Sequence, residues 1–297
     1  GTENLTRFDF DAVLGPEASQ KDVYNQSIKN AIRLNTPRGI NTTIIAIGQD
    51  GSGKSYTMSG GWKTDVKSIH SKVVEDASKF QVGEQDGILP RAVHDLFKTK
   101  QRLSSSGEVH VTMSFYEVSQ EGFRDLLENR PIPAVGTRDV SRMRVESSAK
   151  VKALMDRVSK QRANITSRQR CHRFCSFHTT CKGATNSSDA SRQPGDTVSK
   201  LTFVNLAGPG LPNWMDVGPY SGNSSLDGKS QQLDDILRMY TASNKAEPTT
   251  LTERNSTIST KIGDTLSGPC LAILVACVSP ADSTMESTLD ILRLTQI

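Results

Sequence analysis

The chain has 297 residues, enough for one large or two ordinary domains, and with 35% hydrophobic and 23% charged residues it is polar for a globular protein yet far from a disordered composition. Its 36 Lys and Arg against 32 Asp and Glu leave a net charge of +4 without a long basic run, which gives no support for a nucleic-acid partner. The longest apolar run, residues 271–278, falls far short of a membrane span, and five cysteines, an odd number, argue for a reducing compartment, cytoplasm or nucleus, over a disulfide framework, with the cytoplasm as the expected location.

A first helix is predicted from Ser19, paired with Asp22 as a cap, followed by Val23, Tyr24, Ser27, Ile28, Ala31 and Ile32 at helical spacing; it stops near Pro37 and Gly39. Residues 41–47 are β-branched and apolar without alternation, the pattern of a strand buried on both faces, and they run straight into a glycine-rich loop. Similar strands are predicted at 109–118, 201–206 and 271–278, and helices at 89–98, 150–162, 232–240 and 256–266. This alternation predicts a layered α/β domain over the whole chain. Residues 60–86, 183–199 and 209–228 are rich in Gly, Ser, Asn, Asp or Pro and read as long surface loops.

Gly48, Gln49, Asp50, Gly51, Ser52, Gly53, Lys54 and Ser55 match G-x-x-x-x-G-K-[ST], with the preceding strand that the motif requires. Such a loop turns successive backbone N–H groups around phosphate oxygens; here Lys54 would reach the β and γ phosphates and the Ser55 hydroxyl would ligate Mg²⁺. Hydrolysis also needs a carboxylate at the end of a neighbouring strand to hold the metal. The strand that ends at 206 presents Asn205 there, an amide without negative charge. Charge-assisted hydrogen bonds are worth about 1.5–3 kcal/mol, so weak Mg²⁺ retention is expected.

Further motifs stand in order along the chain: Phe8, Asp9, Phe10 and Asp11 through Leu14; Ile47, Gly48 and Gln49 through Tyr56, Thr57 and Met58; Gly87 through Ala92 with Asp95, Leu96 and Phe97; and Ser114 through Val118 with Glu121, Asp125, Leu126 and Leu127. Leu206, Ala207 and Gly208 follow, then Val278, Ser279 and Pro280 with Glu286, Thr288, Leu289, Leu292 and Arg293. Together they resemble the kinesin motor domain, over essentially the whole chain from Phe8. The resemblance implies a single α/β domain of the P-loop NTPase class, with a central, mostly parallel eight-stranded sheet and helices on both faces. It also implies ATP or ADP with Mg²⁺ as ligand and the microtubule, built of tubulin, as partner. Tyr56 stands where the family packs a side chain near adenine.

Departures concentrate on the catalytic loops. The family's switch I signature, Asn-x-x-Ser-Ser-Arg-Ser-His, aligns onto residues 165–172, where only Arg170 and His172 are kept. The switch II signature, Asp-Leu-Ala-Gly-Ser-Glu, reads Asn205, Leu206, Ala207, Gly208, Pro209 and Gly210, so Arg170 has lost the glutamate it pairs with in the family. Arg170, Asn205 and Gly208 are thus the candidate catalytic positions, in degenerate form. Losing the metal carboxylate, the switch serines and the gate partner together predicts hydrolysis reduced by orders of magnitude, at about tenfold per 1.4 kcal/mol. The cradle itself is intact, so nucleotide binding is expected. The alternative is an active, microtubule-stimulated ATPase motor with an unusual switch region.

The family's track-binding loop is basic, but residues 209–228 hold no Lys or Arg and contain Asp216 and Asp227. Positive charge gathers instead at Arg138, Arg142, Arg144, Lys150 and Lys152, either a solvated face or a site for the microtubule or another acidic partner. Cys171, Cys175, His178 and Cys181 resemble a zinc set by spacing, yet in a strand the cysteines face one side and His178 the other, so they read as buried apolar side chains. Cys270 and Cys277 read as core residues, Glu117 and Glu121 as structural ones, and Trp214 as either a local packing residue or a partner anchor.

Overall fold

The first strand, β1 (Asn41–Gly48), is buried along nearly its whole length. It shows no alternation because both of its faces carry apolar cover. In this computed structural model the described residues are 6–62, 81–105, 107–119, 122–132, 140–163, 171–182, 196–208, 265–266, 269–281, 283 and 285–295. The predicted helix 232–240, nearly all of 256–266, the loop 209–228, Arg138, Arg170, Glu121 and Trp214 lie outside them.

Ser19 caps α1 (Gln20–Val23) by the predicted box: its hydroxyl accepts from Asp22 N–H while the Asp22 carboxylate accepts from Ser19 N–H. The chain continues through a π-helical stretch, Tyr24–Ile28, into α2 (Lys29–Arg38), which ends on Gly39 in the left-handed conformation. After β1 come α3 (Lys54–Ser59), α4 (Ile88–Leu103), β2 (Glu108–Ser119), β3 (Gly122–Asp125), β4 (Arg130–Ile132), β5 (Met143–Arg144) and α5 (Ser148–Ala163). Next are β6 (His172–Lys182), β7 (Thr197–Asn205), β8 (Cys270–Cys277) and α6 (Met285–Thr295). β7 begins inside the predicted loop 183–199, since Thr197 and Val198 already pair with β6.

The sheet has eight strands in the order β4-β3-β2-β6-β7-β1-β8, with β5 paired to β2. It is mixed where the resemblance implied a mostly parallel one. Among the described residues, parallel pairing is confined to β7–β1–β8, and every other pair is antiparallel. For β2, β3 and β4 the reason is connection length: only a few residues separate each from the next, which suffices to join antiparallel neighbours but not parallel ones.

Alternate residues of each central strand serve two separate cores. Ile44, Ala46, Val111, Met113, Phe115, Cys175, Phe177 and Phe203 pack with α2, α4 and α5 residues on one face. Ile45, Tyr116, Phe174 and Val204 pack on the other, with Tyr116 and Phe174 stacked at 4.9 Å. The π-helical stretch is tied to α4 by Tyr24 Oη donating to Asp95 at 2.8 Å.

Candidate phosphate site at the strand ends

Because β1, β7 and β8 are parallel, their carboxyl ends meet at one edge, the place where open α/β sheets bind ligands. The loop leaves β1 at Gly48 and enters α3 through Gly53, whose φ of +92° is a left-handed conformation that a side chain disfavours. Lys54 is only 8% exposed, and its Nζ donates to the Gly48 and Gln49 carbonyls at 2.7 and 2.6 Å. Ser52 Oγ donates to the same Gln49 carbonyl at 2.8 Å. The ammonium thus lies folded into the cradle. Ser55 and Asp50 are exposed beside it.

Asn205 ends β7 next to α3, and its Nδ2 donates to Ser55 Oγ at 3.1 Å. Gly208 packs onto the loop: a Cβ there would sit 2.6 Å from the Asp50 backbone nitrogen, so only glycine permits the approach. Ala207 N donates to His172 Nδ1 at 3.1 Å, which joins the start of β6 to the residues after β7. Burial pushes His172 down to about 4, so the ring is neutral at pH 7 and can accept that bond. Tyr56 is half exposed; its hydroxyl donates to Gln85 at 2.6 Å, and its carbonyl accepts from Gln20 at 2.8 Å, which fastens α1 to α3.

Sequence reading placed Gly48 to Tyr56, Asn205 and Gly208 near one another, and the fold brings them together. It did not find the neighbouring cluster of Glu117, Arg162 and Cys171. Arg162 Nη1 lies 3.0 Å from Glu117 Oε2, and the Cys171 thiol donates to that same oxygen at 3.2 Å. These residues come from β2, α5 and the position just before β6, and no local pattern links them. A cavity of about 30 Å³, room for about one water, lies behind the site among Met58, Ser59, Phe115, Arg173, Cys175 and Asn205.

Ser55 is the residue that would hold Mg²⁺, and the strand end beside it supplies the Asn205 amide. Such an ion wants one or two carboxylates besides phosphate oxygens. At the strand end it meets an amide whose N–H points into the lone pairs of Ser55 that a metal would use. Among the described residues, no group of three or more His, Cys, Asp or Glu side chains is arranged to hold a metal ion. Cys175 and Cys181 lie buried in β6 as expected, but Cys171 stands before that strand, partly exposed, with its thiol on the Glu117 carboxylate.

The family model for the kinesin motor domain matches residues 1–297. The chain belongs to the kinesin motor-domain family. It is 28% identical over 96% of its length to kinesin-like protein KIF27 of Homo sapiens, covering 21% of that protein. It is 29% identical over 93% of its length to kinesin-related protein 1 of Dictyostelium discoideum, covering 12% of it. The chain therefore spans a minor part of these relatives' length. Among solved structures it is similar to a fast kinesin, with TM-score 0.70, 24% identity and coverage of 97% of this chain and 78% of that one. The Drosophila kinesin family member NOD in complex with AMPPNP gives TM-score 0.70 and 23% identity, covering 97% of this chain and 83% of that one. Among the described residues, no helix is long and apolar enough to cross a membrane.

Proposed function

We propose that this kinesin motor domain binds ADP or ATP at Gly48 to Ser55, holds Mg²⁺ weakly, hydrolyses slowly or not at all, and serves as a microtubule-associated binding or regulatory module on the cytoskeleton. The observation that carries this reading is Asn205: an amide stands at the metal position and donates to Ser55. Without a carboxylate there, the charge that builds on the phosphates during transfer meets less compensation. Nucleotide binding is supported by the cradle geometry, with Lys54 buried at the loop, and by NOD having been solved with AMPPNP and with manganese and ADP. The intact lysine also keeps a second reading in play, an active microtubule-stimulated ATPase motor.

Phosphate release measured with and without microtubules separates the two. Stimulated turnover above about 1 s⁻¹, the low end of ordinary enzymes, overturns the first reading. A fluorescent ADP analogue should bind saturably to the wild type and much more weakly to Lys54→Ala. Absence of saturable binding by the wild type removes the nucleotide claim altogether.

A further inference from the structure

A polar contact joins the phosphate loop to a helix 239 positions further along the chain: Thr288 Oγ1 in α6 is placed to donate to Gln49 Oε1 at 3.1 Å and to the Ser279 carbonyl at 3.2 Å, so its one proton is shared between the two acceptors. Gln49 is only 5% exposed. Its Nε2 is buried with no acceptor among the described residues. The backbone carbonyl of the same residue accepts from Lys54 Nζ at 2.6 Å and from Ser52 Oγ at 2.8 Å. Gln49 therefore holds the phosphate-binding lysine with its main chain and the C-terminal helix with its side chain. α6 itself packs against β8 and β1, and its Ile291 is buried, so the hydroxyl is presented from a fixed platform.

A polar contact in a nearly closed place is directional where apolar packing is not, since it holds at one geometry only. The Thr288 hydroxyl supplies that contact to the Gln49 side chain. We propose that Thr288 is a positioning residue for nucleotide binding: its hydroxyl fixes the Gln49 side chain, and through it the carbonyl that aims Lys54, so that the docking of α6 sets the affinity of the phosphate loop. This rests on the reading that the loop binds nucleotide. Linkage makes the effect reciprocal, so bound nucleotide also holds α6 in place.

The test is the Kd of a fluorescent ADP analogue for the wild type, Thr288→Val and Thr288→Ser, with thermal melting of each protein alongside. Loss of one net hydrogen bond corresponds to about a fivefold change in Kd. Thr288→Val is expected to raise Kd by about that factor, and Thr288→Ser, which keeps the hydroxyl, to stay within about twofold. In a Gln49→Ala background Thr288→Val should add nothing further, the signature of a shared contact. An unchanged Kd in Thr288→Val, even with a lowered melting temperature, makes the role purely structural and overturns the proposal, as does an undiminished effect in the Gln49→Ala background. Thr288→Ala reads the same cycle where Thr288→Val does not fold. A wild type without saturable binding overturns this inference together with the nucleotide reading, whereas a binding wild type with an insensitive Thr288→Val overturns this inference alone.

Discussion

At the end of β7, Asn205 places an amide Nδ2 against the Ser55 hydroxyl, 3.1 Å away. A carboxylate there would accept the Ser55 hydroxyl proton and leave the oxygen lone pairs for a metal, whereas the amide donates into them. Asn205→Asp should therefore make nucleotide affinity metal-dependent. The expected Kd ratio between EDTA and Mg²⁺ is within about threefold for the wild type and about tenfold or more for the variant, the size of one charge-assisted bond. Fluorescence titration in both buffers checks it. His172 carries a different consequence. Its folded value of about 4 lies below the ordinary 6.5, so below pH 6.5 the unfolded chain takes up a proton that the folded one refuses. The histidine's full compatibility with folding holds above about pH 6.5 and is lost as pH falls toward 4. Between pH 7 and 5 this amounts to about 2 kcal/mol, and His172→Gln should flatten the slope in denaturant melts at the two pH values.

Elements are held together here by polar clusters as well as by apolar cover. Glu117 of β2 binds both Arg162, in the last turn of α5, and Cys171, just before β6, in a place where the two charged side chains are 11% and 17% exposed. Removing one partner of a mostly buried pair leaves the other charge poorly solvated. Glu117→Ala should cost about 2–4 kcal/mol in chemical denaturation, while Cys171→Ser, which keeps a donor to the carboxylate, should cost under about 1 kcal/mol. Several long elements were legible from sequence because they show their period, β1 as an unbroken apolar run and α4 as buried Ile88, Leu89, Ala92, Val93 and Leu96, whereas β6 and α6, eleven residues each, were not read from periodicity. The strands β3, β4 and β5 were not, being two to four residues long with no room for a pattern. They are set instead by Asp125, fully buried, whose carboxylate accepts from Leu127 N–H at 2.8 Å and from Ser141 N–H at 2.7 Å. A buried acceptor of that kind is visible only once the turn has closed around it.

For the molecule as a whole, the mild positive charge is less concentrated than its sequence suggests. Lys152 is taken up by Asp156 at 2.9 Å and lies over the Trp62 ring, and Arg144 sits 3.7 Å from Glu146. Among the described residues of that set, Arg142 and Lys150 are exposed, and Arg144 is exposed but partly neutralised. If these residues meet microtubules, Arg142→Glu with Lys150→Glu should weaken co-sedimentation at least several-fold at low salt, and raising ionic strength from about 0.05 to 0.15 M should shrink the difference. Equal co-sedimentation would mark them as a solvated face. By itself the sequence determined the α/β alternation, the phosphate loop and the replacement of a carboxylate by Asn205, since periodicity, glycine placement and charge are local properties of a chain. Only the tertiary structure decided that the sheet is mixed, that Lys54 lies folded onto the carbonyls of its own loop, and that Gln49 meets Thr288 across 239 positions. Each of those depends on which surfaces pack together, and a hydrogen bond between residues so far apart exists only after the sheet has brought the strand ends to one edge.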